Sequence, residues 1–199
     1  MHKFTSYLLF SLVISIILHG CSDEEFHGTE ITPDLPTTSF NLIDQFGQPF
    51  SLEDNQGQIV VAFFGFTYCP DICPATLSKW SQVEKALGDQ AQNVKFVYIT
   101  VDPERDTPET LRDHLETYSP NFIGLTGDTT ALKDVYDGYG IIREKVKISE
   151  SAAGYLVNHT ARFYIFDKTG RWRLTNRNDT TAEEMTHDIK ILLKEKIES

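Results

Sequence analysis

Cysteine is scarce in this chain: three in 199 residues, at positions 21, 69 and 73. Two thiols in one stretch are too few for a closed structural zinc site, which takes four ligands. Positive charge is scarce as well, with 18 Lys and Arg against 29 Asp and Glu, a formal charge of −11 and a pI near 4.9. There is no basic stripe, and the overall field repels phosphate, so the chain is not a nucleic-acid binder. Acidity instead favours solubility and cationic ligands or partners. Repeats, low-complexity blocks and an output domain are also missing. A hydrophobic content of 40%, with 12% aromatics, supplies one good core and not two.

No apolar run at the N-terminus is comfortably long enough to span a bilayer, which takes about 20 residues. Lys3 supplies a positive start and Tyr7 to Leu18 an apolar stretch, the pattern of an export signal. It ends Leu18-His19-Gly20-Cys21, which resembles a bacterial lipoprotein cleavage box. Residues 1–20 are therefore expected to be a cleaved signal peptide, with Cys21 lipidated as the first mature residue. Cleavage removes one charged side chain, Lys3, and moves the formal charge from −11 to −12. Residues 21–38 are polar, acidic and proline-bearing, and read as a flexible tether between membrane and domain. The domain, 39–199, is then exported and membrane-anchored on the periplasmic or extracytoplasmic side, where disulfides can form.

What remains is one pair of cysteines in Gly65-Phe66-Thr67-Tyr68-Cys69-Pro70-Asp71-Ile72-Cys73-Pro74. The run before it, residues 58–64, is apolar, β-branched and aromatic, and reads as a buried strand. After it, Leu77, Trp80, Val83 and Leu87 recur at helical spacing over 76–87. The thiols thus sit where a strand turns into a helix, facing unpaired N–H groups and the positive end of the helix dipole, which favours thiolate. With three residues between the cysteines instead of the two of a thioredoxin pair, an i, i+4 relation can bring both sulfurs to one face. They could hold one ion or close a small disulfide. A purely structural disulfide across so short a loop adds little stability. Two thiolates plus an imidazole would suit copper.

Further along, a strand is expected at 94–101 and a helix from Thr107-Pro108, with Thr as N-cap. A short strand at 122–126, a helix at 130–139, a hairpin at 161–174 and an amphipathic helix at 181–197 follow. Phe40 to Phe50 reads as a short hairpin. Alternation of strand and helix ending in a hairpin and a helix predicts an α/β fold with a central mixed sheet. A cysteine pair at the first strand–helix junction makes it thioredoxin-like.

Of six histidines, His2 and His19 belong to the signal, His27 to the tether, and His114 and His187 to helices where charged neighbours point to exposure. His159 precedes the strand at 161–166, where a thioredoxin-like fold brings a loop against the cysteines, and is the candidate third ligand. These residues, with Val101-Asp102-Pro103-Glu104-Arg105-Asp106-Thr107-Pro108 and Phe122-Ile123-Gly124-Leu125-Thr126-Gly127, resemble the Sco/SenC family over about residues 39–195. That family consists of membrane-tethered, thioredoxin-like copper proteins that assist assembly of the CuA centre of cytochrome c oxidase. The resemblance implies that Cys69, Cys73 and His159 bind copper, Cu(I) or Cu(II), and that the cysteines cycle between dithiol and disulfide. It implies as partner the copper-site subunit of cytochrome c oxidase or another copper carrier. The family carries Asp before the ligand histidine, and this chain has Asn158, which removes a negative charge beside the imidazole. The segment from Asp102 to Pro108 reads as a well-capped connection and not as catalytic machinery. Copper chaperone is the leading reading; a thiol–disulfide oxidoreductase, with Cys69 attacking and Cys73 resolving, is the alternative. Peroxidase and sensor readings are weaker, since neither a positioned Arg–Thr pair nor an output domain is evident.

Overall fold

The computed structural model of the chain describes residues 25–33, 35, 37–148 and 154–197. The expected signal segment and Cys21 lie outside the described residues. The strands and helices are β1 (Thr29–Glu30), β2 (Leu42–Asp44), β3 (Pro49–Phe50), β4 (Ile59–Gly65), α1 (Ile72–Leu87), β5 (Val94–Thr100) and α2 (Pro108–Glu116). They continue with β6 (Ile123–Thr126), α3 (Thr129–Gly138), β7 (Arg143–Lys147), β8 (Tyr155–His159), β9 (Arg162–Phe166), β10 (Trp172–Arg177) and α4 (Ala182–Lys194). Eight strands form one mixed sheet in the order β1-β10-β9-β4-β5-β6-β2-β3, while β7 and β8 form a separate hairpin. Among the described residues no helix is long and apolar enough to cross a membrane.

The centre of the sheet is the parallel trio β4, β5 and β6, with β9 antiparallel on the other side of β4. All seven residues of β4 are buried, as its unbroken apolar run requires of a strand covered on both faces. On one face Trp80 of α1 packs among Phe63, Phe96, Phe122 and Phe163, and α4 lies beside α1. On the other face Phe64 and Tyr164 meet Tyr139, with Tyr136 of α3 against Phe64. Helix starts carry side-chain caps, the expected Thr107 and two more. Thr107 accepts from the Thr110 N–H, Asp128 from Thr130 and Ala131, and Thr181 and Glu184 form a capping box.

Register places the functional end. Gly65 pairs with Thr100, so β4 and β5 finish side by side, and the cysteine loop and the Asp102–Asp106 loop leave the sheet from neighbouring carboxyl ends. That is where open α/β sheets hold their ligands.

The N-terminal segment is not free of the domain. β1 pairs with β10, and the buried Asp188 carboxylate of α4 accepts the backbone N–H groups of His27 and Gly28 at 2.8 and 2.9 Å and the Asn176 amide at 2.9 Å. Described residues that the sequence assigns to a tether thus lie along the sheet edge, because a carboxylate inside the fold needs donors, and that backbone supplies two of them beside the Asn176 amide. We predict that Asp188→Ala lowers stability by about 2–4 kcal/mol in urea unfolding and speeds hydrogen exchange at Gly28. A change below about 0.5 kcal/mol would mean the segment is held by something else.

Candidate metal centre

The cysteine loop is built from local geometry. The Cys69 N–H donates to the Phe66 carbonyl at 3.2 Å, closing a turn directly after β4. α1 starts at Ile72, earlier than the apolar spacing alone indicates, so Cys73 and Pro74 both lie in its first turn. Pro is tolerated there because first-turn N–H groups have no intrahelical partner. Asp71 occupies the N-cap position without a side-chain capping bond. The Cys69 sulfur takes that role: its Sγ accepts the Cys73 N–H at 3.4 Å, and the Asp71 N–H also turns toward it.

The two thiols are free and unequal. Cys69 is half-buried, whereas Cys73 has no exposed surface. A hydrogen bond from the Cys73 thiol pulls the Cys69 thiol down to about 4, against the cost of burial, with help from the two backbone N–H groups. Cys73 is pushed above the ordinary thiol range by the same bond, which it donates, by burial and by the negative charge on Cys69. At neutral pH the pair is one thiolate and one thiol.

His159 arrives from the opposite direction. It is the last residue of β8, a strand end where the sequence suggests a loop, and pairs with Arg143 across the β7–β8 hairpin. Its Nδ1 lies 3.1 Å from the Thr160 carbonyl, which only accepts, so Nδ1 carries the proton and Nε2 presents its lone pair. The ring stands edge-on to Phe63 and Phe66, and Nε2 lies 4.0 Å from Cys73 Sγ. Among the described residues no three His, Cys, Asp or Glu side chains are drawn up around one point at bonding distance. The gap nevertheless fits an ion: sulfur and nitrogen donors bonded at about 2.3 and 2.0 Å and spread trigonally stand about 3.7 Å apart. Two sulfurs and one imidazole make a soft donor set that suits copper.

Two buried carboxylates tie these pieces together. Asp106 accepts the Thr67 N–H at 3.2 Å, the Thr67 hydroxyl at 2.6 Å and the Thr100 hydroxyl at 2.7 Å, fixing the start of the cysteine loop to the end of β5. Burial still raises its proton affinity above that of an ordinary Asp. Asp102, fully buried, accepts Arg105 Nε at 2.5 Å and the Tyr155 hydroxyl at 2.7 Å, and Arg105 also donates to the Tyr155 carbonyl at 3.1 Å. The guanidinium covers the Tyr155 ring at 3.7 Å and the Tyr68 ring at 4.6 Å. The hairpin that carries His159 is thereby stapled to the loop that carries Cys69. These contacts give the 102–108 segment a positioning role that capping alone does not convey.

Other expectations change. Strand alternation turns Asn158 away from His159, exposed and opposite Glu144, so the Asp-to-Asn departure alters the outer surface and not the imidazole's immediate surroundings. His114 is not exposed: it is half-buried beside Tyr98 and Tyr118, with Nε2 enclosed and without a hydrogen-bond partner, and burial lowers its proton affinity. His187 is half-buried too, with its ring 4.9 Å from that of His27 and Nε2 at 3.2 Å from the Glu25 carbonyl. None of these three histidines is hydrogen-bonded to the cysteine pair. Tyr98, missed in the sequence because it reads as one more apolar strand residue, lies buried under Cys73.

Comparison with known proteins bears on the family and the fold. The SCO1/SenC family profile matches residues 29–194. A SCO2-like protein of Rickettsia prowazekii is 37% identical over 146 residues, covering 73% of this chain and 71% of the relative. The structure of Bradyrhizobium japonicum ScoI with copper bound superposes with a TM-score of 0.72 at 35% identity, over 78% of this chain and 98% of that one. A SCO1/SenC family lipoprotein of Bacillus anthracis superposes at 0.68 with 26% identity, over 85% of this chain and all of that one (100%).

The unequal thiols predict an alkylation profile. With its proton affinity lowered, Cys69 is thiolate throughout the neutral range, so iodoacetamide should modify it at a rate nearly flat from about pH 6 to about pH 8. Cys73 should stay unmodified. A rate rising about tenfold per pH unit over that range would be that of an ordinary thiol and would contradict the assignment.

Proposed function

From the premise that this chain belongs to the SCO1/SenC family and has a thioredoxin-like fold, we infer that it is a copper metallochaperone. The observation that carries the reading is the meeting of one thiolate, one buried thiol and one imidazole lone pair at the carboxyl ends of β4 and β5. Copper is the cargo, and Cys69 Sγ, Cys73 Sγ and His159 Nε2 are its ligands. Cys69 offers a sulfur already deprotonated; Cys73 gives up its proton as the ion arrives; the Thr160 carbonyl fixes the imidazole tautomer. A three-coordinate site leaves a position for an incoming ligand, so the ion leaves by exchange with the recipient's donors. The copper-bound state of the Bradyrhizobium relative supports the cargo.

The recipient is the copper-site subunit of cytochrome c oxidase or another copper carrier. Lipidation of Cys21 would hold the domain on the extracytoplasmic membrane surface, a reading supported by the lipoprotein relative. The chain's acidic charge suits partners with a basic face.

The same asymmetry of the thiols supports one alternative, a dithiol–disulfide oxidoreductase. The Cys69 thiolate would attack a partner's disulfide, and Cys73 would displace the partner thiol, leaving the chain oxidised and the partner reduced by two electrons. His159 separates the two readings, because exchange needs only the sulfurs.

Titration of the reduced protein with Cu(I) under anaerobic conditions, against a chromophoric chelator, tests the first reading. The wild type should take one tight equivalent, and His159→Ala should bind it more than about tenfold more weakly while still forming the disulfide. Cys69→Ser and Cys73→Ser should each abolish tight binding. Unchanged affinity in the alanine variant would remove His159 from the site, and no tight equivalent in the wild type would leave the oxidoreductase.

A further inference from the structure

Two histidines that the cysteine site does not use meet although they are far apart in the sequence. The rings of His27, just before β1, and His187, on α4, stand 4.9 Å apart between centroids. One buried carboxylate fixes both. Asp188, next to His187, accepts the His27 N–H at 2.8 Å and the Gly28 N–H at 2.9 Å, so neither backbone drifts from the other. His187 Nε2 lies 3.2 Å from the Glu25 carbonyl, which only accepts, so that nitrogen carries the proton and Nδ1 keeps its lone pair. Metal-bound imidazoles ordinarily make this outer contact. His27 is exposed and His187 half-buried, so an ion reaches them from solvent.

The spacing fits a shared ion. An imidazole bonded at about 2.0 Å sets its ring centre about 3.1 Å from the metal, so two centres 4.9 Å apart subtend about 100°. That lies between the right angle of a square or octahedral site and the tetrahedral angle. The pair also sits toward the functional end of the sheet. β10 and β4 are both antiparallel to β9 and so run the same way, and the chain before the Thr29–Thr175 pair extends toward the end where the cysteine loop leaves.

We propose that His27 and His187 form a further metal site, for a divalent ion of borderline softness, that clamps the N-terminal segment to α4. The ligands are His187 Nδ1 and one ring nitrogen of His27. Imidazoles suit Cu(II), Zn(II) and Ni(II), and Cu(II) is held most tightly of these in a given site. Among the described residues no third His, Cys, Asp or Glu joins the pair, so water completes the coordination. An ion that needs both rings binds only the docked segment, so metal and docking stabilise each other by mass action. The site stands whether or not the cysteines carry copper.

The test uses the full chain in detergent with the Cys69–Cys73 disulfide formed, so that Cu(II) meets no thiol to oxidise. Cu(II) is titrated into the wild type, His27→Phe and His187→Phe. Electron paramagnetic resonance reads the bound ion, and hydrogen exchange at Gly28 reads the docking. Phenylalanine keeps a ring in the contact and removes the ligand. The wild type should show one equivalent whose spin-echo modulation reports two imidazoles, bound at least about tenfold more tightly than in either variant. Cu(II) should slow exchange at Gly28 about tenfold in the wild type and change it less than about twofold in the variants. Without metal, His27→Phe should exchange at Gly28 within about twofold of wild type, because Asp188 holds that backbone and not the ring. Affinity within about twofold of wild type in either variant would overturn the proposal, leaving the rings a packing contact only. So would an equivalent that reports a single imidazole, or one that leaves Gly28 exchange unmoved in the wild type, since such an ion bridges nothing.

Discussion

A sulfur stands where a helix would ordinarily have a capping oxygen. The first turn of α1 presents N–H groups that nothing in the helix can satisfy, and the Cys69 Sγ receives that of Cys73. This one contact settles several features together. It adds to the larger effect of the Cys73 thiol, which donates to the same sulfur; together they favour a negative charge on the half-exposed cysteine and keep the proton on its buried neighbour. It demands that the strand before it end abruptly and rigidly, which the fully buried β4 provides. The outcome is a nucleophilic, metal-seeking sulfur at the surface and a second sulfur held dry behind it.

Holding a site made of three chain segments requires more than the cysteine loop. The ion pairs that differ most in exposure show which interactions matter. Exposed pairs such as Arg177 with Asp179 are screened by solvent and set nothing. Asp102 and Asp106 are fully buried, so the cost of enclosing their charges is offset only if each is surrounded by donors, and each is. Removing any donor would strand a buried carboxylate. That sensitivity makes the arrangement all-or-none: the Thr67 end of the cysteine loop, the end of β5 and the base of the His159 hairpin are placed together or not at all.

Much of this was legible in the sequence, and the parts that were not share a cause. β4, β5, α2 and α4 announce themselves because local signals and burial agree: an unbroken apolar run, Thr107 before Pro108, and the amphipathic spacing of Met185, Ile189 and Leu192. The cysteine pair and His159 stand out as residue types that a core does not need. The hairpin arm β7 was obscure because all of its residues are exposed and carry no apolar alternation. The docking of residues 27–30 depends on Asp188, more than 150 positions away, and composition alone reads such a segment as a tether. Tyr98 and His114 were missed for the complementary reason. Each has the pattern of an ordinary strand or helix residue, and only their packing against one another reveals an enclosed polar atom without a hydrogen-bond partner. Asn158 shows the reverse error, where adjacency in sequence suggested an influence on His159 that strand alternation removes.

The central proposal is that two sulfurs from the cysteine loop and one imidazole from a distant strand end act as one copper site. X-ray absorption at the copper edge of the Cu(I)-loaded protein tests it directly, since sulfur and nitrogen scatter at different distances and strengths. The account predicts a shell of two sulfurs and one nitrogen per copper, with the imidazole's outer-shell scattering present. A shell of only oxygen and nitrogen, or a single sulfur, would contradict it.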